Sequence, residues 1–248
     1  MILYVNGDSH SAGAEAANAF CFLSDDPTME WDHYDLTKTA AGRVPHPDNI
    51  KVSYGQKIAE HYNATLVCDA ESGSSNQRIL RTTYDYLETK ANPDLIIIGW
   101  ATWEREEFFI DGYWHQFSAN MNTDKLSDDA VAIYKNWVLD RHSVQQYCDQ
   151  AQADIWKLHQ CLITNNIPHL FFNTFSGLTP TIQLDWNNSY YEPYVHTQSF
   201  FNLLKAQGHK TVSKTERQSN RLLWRYIPRI NVITTVTTAP LMALKTAT

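Results

Sequence analysis

Residues 2–9 read Ile2-Leu3-Tyr4-Val5-Asn6-Gly7-Asp8-Ser9, an apolar run that ends abruptly in a polar segment containing a glycine. A short apolar run of this kind is typical of a strand buried in a parallel sheet. A serine between such a strand and a predicted helix is well placed to act as a nucleophile. The strand holds the backbone, and the N–H groups at a helix N-terminus favour a developing oxyanion. The stretch predicts an α/β fold and makes Ser9 a candidate catalytic residue.

Three further apolar runs predict parallel strands at residues 65–68, 95–98 and 170–173. Helical patterns separate the four strands and follow the last one. They cover residues 53–62, 76–87 (capped by Ser75 or Asn76), 128–165 (as one helix or two) and 217–226. Alternating strands and helices predict a doubly wound, three-layer α/β fold with a mostly parallel central sheet.

The chain of 248 residues, 43% of them hydrophobic, suits one large domain. We assign residues 1–230 to a single α/β domain and residues 231–248 to a C-terminal tail or edge strand. Three long loops interrupt the domain, at residues 25–49, 104–126 and 176–201. Loops of this length are typical of lids or partner surfaces.

The net charge of −7 argues against general nucleic-acid binding. Seven Lys/Arg against one acid between residues 205 and 229 indicate a solvated helix face, or else a contact with an anion. The four cysteines lack CxxC spacing, which predicts buried free thiols and no zinc. We find neither a signal peptide nor an apolar stretch long enough to span a bilayer, so we expect synthesis in a cytoplasm.

Polar or glycine-containing segments follow all four predicted strands. In an open α/β sheet, ligands bind beyond the carboxyl ends of the strands, so these segments should meet at one edge. They are residues 7–9, 71–76, 99–105 and 173–177.

The segment GDSHSAG at residues 7–13 resembles block I of the SGNH (GDSL) hydrolases, and SGSSN at residues 72–76 resembles block II. The resemblance implies a flavodoxin-like, three-layer fold for most of the chain. It also implies that Ser9 is the nucleophile and that the N–H groups of Ser9 and Gly73 form the oxyanion hole.

Blocks III and V of that family match less well. Block III is Gly-x-Asn-Asp, and here Gly99 is followed by Ala101 and Thr102 at the Asn and Asp positions. Block V is Asp-x-x-His, and its nearest match has Ala206 in place of Asp and His209 as the general base. An alternative registration places Asn220 near the block V histidine and leaves no base there.

Other residues are candidates for the missing roles. Asn76 or Thr102 would replace the missing oxyanion donor, and Asp185 or Glu192 would orient His209. Near the same edge, the candidate substrate contacts are Trp100, Thr102 and Arg105. The structural alternatives are that Ser9 is only a helix cap, that Trp100 belongs to the core, and that residues 104–107 are a solvated charged run. The resemblance implies no metal or other cofactor.

Two functions remain open. The first is a serine esterase that removes acyl groups, such as O-acetyl groups from a carbohydrate, with no nucleic-acid or membrane partner. The second is a catalytically degenerate structural or adhesive protein whose aromatic loops and tail bind protein partners. The segments IIGWATWEREE (97–107) and GSSNQRI (73–79) look most like SGNH-type proteins encoded by tailed phages of marine bacteria. The second function therefore implies incorporation in a phage particle.

Overall fold

The computed structural model describes residues 1–30, 43–119, 121–124, 126–140, 143–196 and 198–208. In chain order, its elements are β1 (Ile2–Gly7), α1 (Pro47–Val52), α2 (Tyr54–Tyr62), β2 (Thr65–Cys68), α3 (Asn76–Thr89), β3 (Leu95–Trp100), β4 (Glu106–Ile110), β5 (Tyr113–Phe117), α4 (Asp128–Asp140), α5 (Val144–Thr164), β6 (His169–Asn173), β7 (Tyr190–Tyr191) and α6 (Phe200–Ala206).

Five strands form a parallel sheet in the order β2-β1-β3-β6-β7. This is the flavodoxin-like order, in which the chain moves from one side of β1 to the other between β2 and β3. A crevice therefore opens between the carboxyl ends of β1 and β3, and the segment that contains Ser9 lies there. The predicted three-layer α/β class is confirmed.

Alternate residues of the strands pack into two apolar layers. On one face, Tyr4, Ile96 and Ile98 pack with residues of α3 and α5 such as Ile79 and Leu158. On the other face, the buried cluster combines strand and α2 side chains, and Phe200 of α6 packs against it. Its buried members are Leu3, Val5, Ile58, Ala59, Leu95, Ile97 and Phe172. Helices thus cover both faces, which explains why the strands are apolar throughout.

The predicted strands and most predicted helices are present. Residues 128–165 form two helices, α4 and α5, and Ser75 caps α3 by accepting a hydrogen bond from the Arg78 N–H. The four cysteines are free, but only Cys148 is fully buried, so the expectation that all are buried was wrong. The predicted helix at 217–226, the tail at 231–248 and nearly all of the basic segment 205–229 lie outside the described residues.

The loops are less irregular than expected. Residues 104–126 contain the antiparallel β4–β5 hairpin, which turns at Asp111 and Gly112, both with positive φ. Residues 176–201 contribute β7, and α1 begins inside the 25–49 segment. None of the helices in the described part of the chain has the length and apolar character needed to cross a bilayer.

Candidate active site

The segments that follow β1, β2, β3 and β6 meet at one edge of the sheet, as the strand directions require. The Glu71 N–H donates a hydrogen bond to the Gly7 carbonyl at 3.1 Å, and the Thr174 N–H donates to the Trp100 carbonyl at 3.0 Å. These bonds extend the parallel ladders past the strand ends. The four segments therefore lie together at this edge, and many of their polar side chains are buried there.

Asp8 anchors this edge. Its carboxylate is fully buried and accepts hydrogen bonds from the His10 N–H and the Thr174 hydroxyl, both at 3.0 Å. The His10 ring lies 3.4 Å from the same carboxylate and packs edge-on against Phe175. Asp8 therefore joins the end of β1 to the end of β6.

Ser9 begins a series of turns rather than a regular helix. The Ala12 N–H donates to the Asp8 carbonyl and the Ala14 N–H donates to the Ser9 carbonyl, both at 2.9 Å. The expectation that a helix starts here was wrong, because the chain makes only one helical turn before it leaves the sheet. Ser9 is partly exposed, and its hydroxyl forms no hydrogen bond with any described residue.

The glycine after β2 lies in a tight turn. Gly73 has φ +81°, a left-handed conformation that favours glycine. A side chain at this position would also meet the Arg43 guanidinium, because a Cβ would lie 2.5 Å from Nη2. Both constraints explain a glycine here without reference to catalysis.

Asn76 opens α3 next to this turn and is only 3% exposed. Neither its amide nitrogen nor its amide oxygen has a hydrogen-bond partner among the described residues. Buried amides are almost always paired. The Asn76 amide therefore has unused hydrogen-bonding capacity at the edge where the Ser9 segment emerges.

Arg105 contacts the ends of two other segments at this edge. Of the two interpretations for residue 105, a position near the candidate site and a solvated charged run, the structure agrees with the first. The Arg105 Nη1 donates to the Ser74 carbonyl at 3.3 Å and lies 4.0 Å from the Asp8 carboxylate. Burial lowers the pKa of Arg105, and the Asp8 charge opposes that shift. One guanidinium thus bridges the Ser9 segment and the Gly73 segment.

The residues at the block III positions offer no obvious donor. A Cβ on Gly99 would lie 2.7 Å from the Ser11 hydroxyl oxygen, so this glycine permits close packing. Ala101 is buried, and the Thr102 hydroxyl donates to the Glu104 carboxylate at 3.3 Å. Asn76, unlike Thr102, has an uncommitted donor.

Trp100 belongs to the core. It is 1% exposed and packs edge-on against Phe171, with ring centroids 5.2 Å apart. Its ring is not accessible for stacking on a substrate, so the prediction that Trp100 contacts substrate was wrong. Strand β3 extends to this residue, so the Trp100 side chain points to the same face of the sheet as Ile96 and Ile98 and packs in the same core.

The proposed base, His209, lies outside the described residues. The helix before it, α6, packs on the candidate site: Phe200 contacts the His10 ring at 6.1 Å between centroids, and the Phe201 N–H donates to the Thr174 carbonyl at 3.0 Å. His196, just before α6, is an exposed histidine that the sequence analysis did not single out.

The two candidate orienting acids lie at different edges of the sheet. Glu192 directly follows β7, at the carboxyl edge, and is exposed with φ 41°. Asp185 lies in the segment that returns to the start of β7, and its charge acts on His159, which contacts the first residue of β6. Asp185 is therefore at the edge opposite Ser9, which contradicts its predicted role.

Arg43 was not predicted to lie at this edge, and Thr174 was predicted there only as part of the segment 173–177. Arg43 donates from Nε to the Glu71 carboxylate at 2.7 Å, and Thr174 binds Asp8. The only available signal for Arg43 was its position in the long polar segment 25–49. Within the described residues, no group of three or more metal-ligating side chains occurs.

The sequence matches no protein-family model and no curated protein. Three solved structures show weak similarity, each across 90% of this chain. The first is an acetyl xylan esterase (Est2A) from the rumen bacterium Butyrivibrio proteoclasticus, with 14% identity, a TM-score of 0.32 and 64% of its length covered. The second is a carbohydrate esterase described as having divergent catalytic and non-catalytic binding functions, with 16% identity, a TM-score of 0.29 and 70% covered. The third is a family two carbohydrate esterase from Clostridium thermocellum in complex with cellohexaose, with 12% identity, a TM-score of 0.26 and 65% covered.

Proposed function

We propose that this protein is an SGNH-type serine esterase with Ser9 as its nucleophile. The observation that carries the proposal is the buried, unpaired amide of Asn76 next to the Gly73 turn, at the sheet edge where Ser9 emerges. An open parallel sheet binds ligands at this position. An uncommitted donor there is suited to stabilising negative charge that develops on a bound carbonyl oxygen.

In the proposed reaction, the Ser9 oxygen bonds to the ester carbonyl carbon while His209 takes the hydroxyl proton. The N–H groups of Ser9 and Gly73, with the Asn76 amide, donate to the resulting oxyanion. Collapse breaks the bond to the alcohol, which leaves with the proton from His209. A water molecule then hydrolyses the acyl-serine, releases the acid and restores Ser9.

For the substrate, we propose acyl groups carried by a carbohydrate, such as O-acetyl groups. The support is an aromatic surface on the β4–β5 hairpin, where Phe109 is 53% exposed and packs against Trp114 with centroids 5.1 Å apart. Aromatic rings of this kind offer an apolar face to a sugar ring. The hairpin adjoins the candidate site because the Gln116 side chain accepts a hydrogen bond from the Ser75 N–H at 2.9 Å.

Hydrolysis of p-nitrophenyl acetate tests the proposal. The hydrolysis rate of wild type should exceed those of Ser9→Ala and His209→Ala, which should both fall to background. Asn76→Ala should lower kcat by ~10²–10³, as expected for one lost oxyanion donor. Ser189→Ala and His61→Ala, which lie away from the candidate site, serve as matched controls and should retain activity. Wild-type activity no higher than that of Ser9→Ala overturns the proposal.

A structural or adhesive role is the second candidate. The observation that favours it is Ala101, which is buried where the resemblance implies an oxyanion-donating side chain. Stable co-purification with other proteins of a phage particle, together with absent ester hydrolysis, is the result expected from this alternative. Efficient hydrolysis dependent on Ser9 contradicts catalytic degeneracy.

A further inference from the structure

We propose that the candidate site recognises a substrate with an anionic group, a carboxylate or a phosphate or sulfate ester, held by Arg43, Arg105 and the Asn76 amide. The inference rests on the proposed function for the bond that is cleaved. The anion site itself depends on the charges of the two arginines and on the hydrogen-bond donors that the described residues leave unpaired. It makes the two arginines determinants of substrate specificity.

Arg43 covers the Gly73 turn with a donor to spare. Its Nε donates to Glu71 at 2.7 Å, whereas its Nη2 is buried and has no hydrogen-bond partner in the described part of the chain. The Arg78 Nε lies 2.8 Å from the other oxygen of the same carboxylate, so Glu71 faces two guanidinium groups. One carboxylate does not satisfy the donors of two arginines.

Arg105 approaches the same turn from the segment that follows β3. Its Nη1 donates to the neutral Ser74 carbonyl at 3.3 Å and forms a long ion pair with the Asp8 carboxylate at 4.0 Å. Burial is the main cause that lowers the pKa of Arg105; the Asp8 charge opposes this shift, the Arg43 charge adds to it, and the Glu104 charge opposes it. Arg43 covers Gly73 and Arg105 bonds Ser74, so the two guanidinium groups reach neighbouring residues of one turn, where a bound anion would accept charge-assisted hydrogen bonds.

The Asn76 amide supplies a neutral donor at the same place. Asn76 is 3% exposed beside the turn that Arg43 covers, and neither of its polar side-chain atoms pairs with a described residue. A planar or tetrahedral oxyanion accepts several hydrogen bonds at once, so it matches two guanidinium groups and an amide better than a neutral hydroxyl does. The donor set therefore favours an acidic substrate over a neutral one.

Calorimetric titration of Ser9→Ala tests the inference without turnover. The probes are methyl β-D-glucuronide, inorganic phosphate and the neutral methyl β-D-glucoside. The two anions should bind more tightly than the neutral sugar, and the tighter of the two identifies the anion class. Adding Arg105→Gln should weaken anion binding at least about tenfold, as expected for loss of a charge-assisted contact, and Arg43→Gln should do the same.

Lys90→Gln removes an exposed positive charge at the far end of α3 and serves as the matched control, with unchanged binding expected. Arg105→Lys keeps the charge and should bind anions better than Arg105→Gln, which separates recognition from misfolding. Equal binding of all three probes, or unchanged anion binding after both arginine substitutions, overturns the inference while leaving the esterase proposal intact. If anion binding depends on the arginines but the protein has no esterase activity, the inference stands and the esterase proposal is overturned.

Discussion

At the residue scale, Asp8 determines how the ends of two distant strands meet. It is separated from Thr174 by 166 positions, yet the two side chains share a buried hydrogen bond of 3.0 Å. A buried carboxylate is stable only where hydrogen bonds and nearby positive charge replace the lost hydration. Thr174, the His10 N–H and Arg105 supply these interactions, so Asp8 fixes the position of the backbone directly before Ser9.

Asp8→Asn should lower the free energy of unfolding by about 1–3 kcal/mol, because a hydrogen-bonded buried charge is replaced by an amide whose NH₂ faces donors. In a double-mutant cycle with Thr174→Val, the two losses should not add. We expect a coupling of at least ~0.5 kcal/mol, measured by urea unfolding.

Asp124→Asn, at an exposed aspartate, is the control for the loss of one negative charge and should leave stability nearly unchanged. Strict additivity of Asp8→Asn and Thr174→Val would show that the hydroxyl and the carboxylate do not depend on each other.

At the element scale, the β4–β5 hairpin supports the start of α3. Ile110 and Phe117 pack with Ala130 and Trp137 of α4 to form a separate small core. Glu107 accepts two hydrogen bonds from Arg81 of α3, both at 2.8 Å. The hairpin therefore fixes the N-terminal part of the helix that contains Asn76.

Glu107→Gln should weaken this attachment, because an amide cannot accept both arms of a guanidinium. The Gln116 amide also donates to Glu107, at 2.6 Å, so the variant disturbs a small network. We expect a loss of about 1–3 kcal/mol in stability and faster hydrogen exchange in β4, β5 and the first turns of α3. Glu88→Gln, an exposed glutamate near the end of α3, should change neither. Unaltered hydrogen exchange in the hairpin and the first turns of α3 of the Glu107→Gln variant would contradict the role of the hairpin in supporting α3.

At the scale of the whole molecule, the edge where the strands begin has its own buried polar contact. The His159 Nδ1 lies 2.8 Å from the His169 Nε2, and His159 is fully buried against Trp156 and Trp186. Burial is the main cause that lowers the pKa of His159 to about 4; the neighbouring His169 contributes to this shift, and the charge of Asp185 opposes it. Burial also lowers the pKa of His169.

These pKa shifts make stability depend on pH. The unfolded chain binds a proton on each histidine with a pKa of about 6.5, whereas the folded chain resists protonation. The unfolded state therefore binds more protons between pH 6.5 and about 4. The contribution of the two neutral histidines to the free energy of unfolding is fully present above pH 6.5 and is lost as the pH falls toward 4.

His159→Gln should therefore lose less stability than wild type between pH 7 and pH 5, measured by urea unfolding at each pH. His61→Gln, at an exposed histidine, should keep the wild-type dependence. The same pH dependence in His159→Gln and wild type would exclude the buried pair as its origin.

Several elements were predictable from local sequence. The runs at residues 2–5, 65–68, 95–98 and 170–173 all lie within observed strands, because burial on both faces leaves a continuous apolar run. The convergence of the polar segments follows from the parallel direction of those strands. The hairpin was missed although Asp111-Gly112 is a turn signal, because the charged and aromatic residues around it obscured the alternation.

The sequence by itself determined the α/β class, the positions of four parallel strands and the edge of the sheet where their polar segments meet, because these depend on local apolar runs and on strand direction. Only the tertiary structure decided that Trp100 is buried, that Asp185 lies at the opposite edge and that Arg43 covers Gly73. The unpaired state of Asn76 also depends on its neighbours in space. Such properties arise from packing between segments far apart in the chain, and no local pattern encodes them.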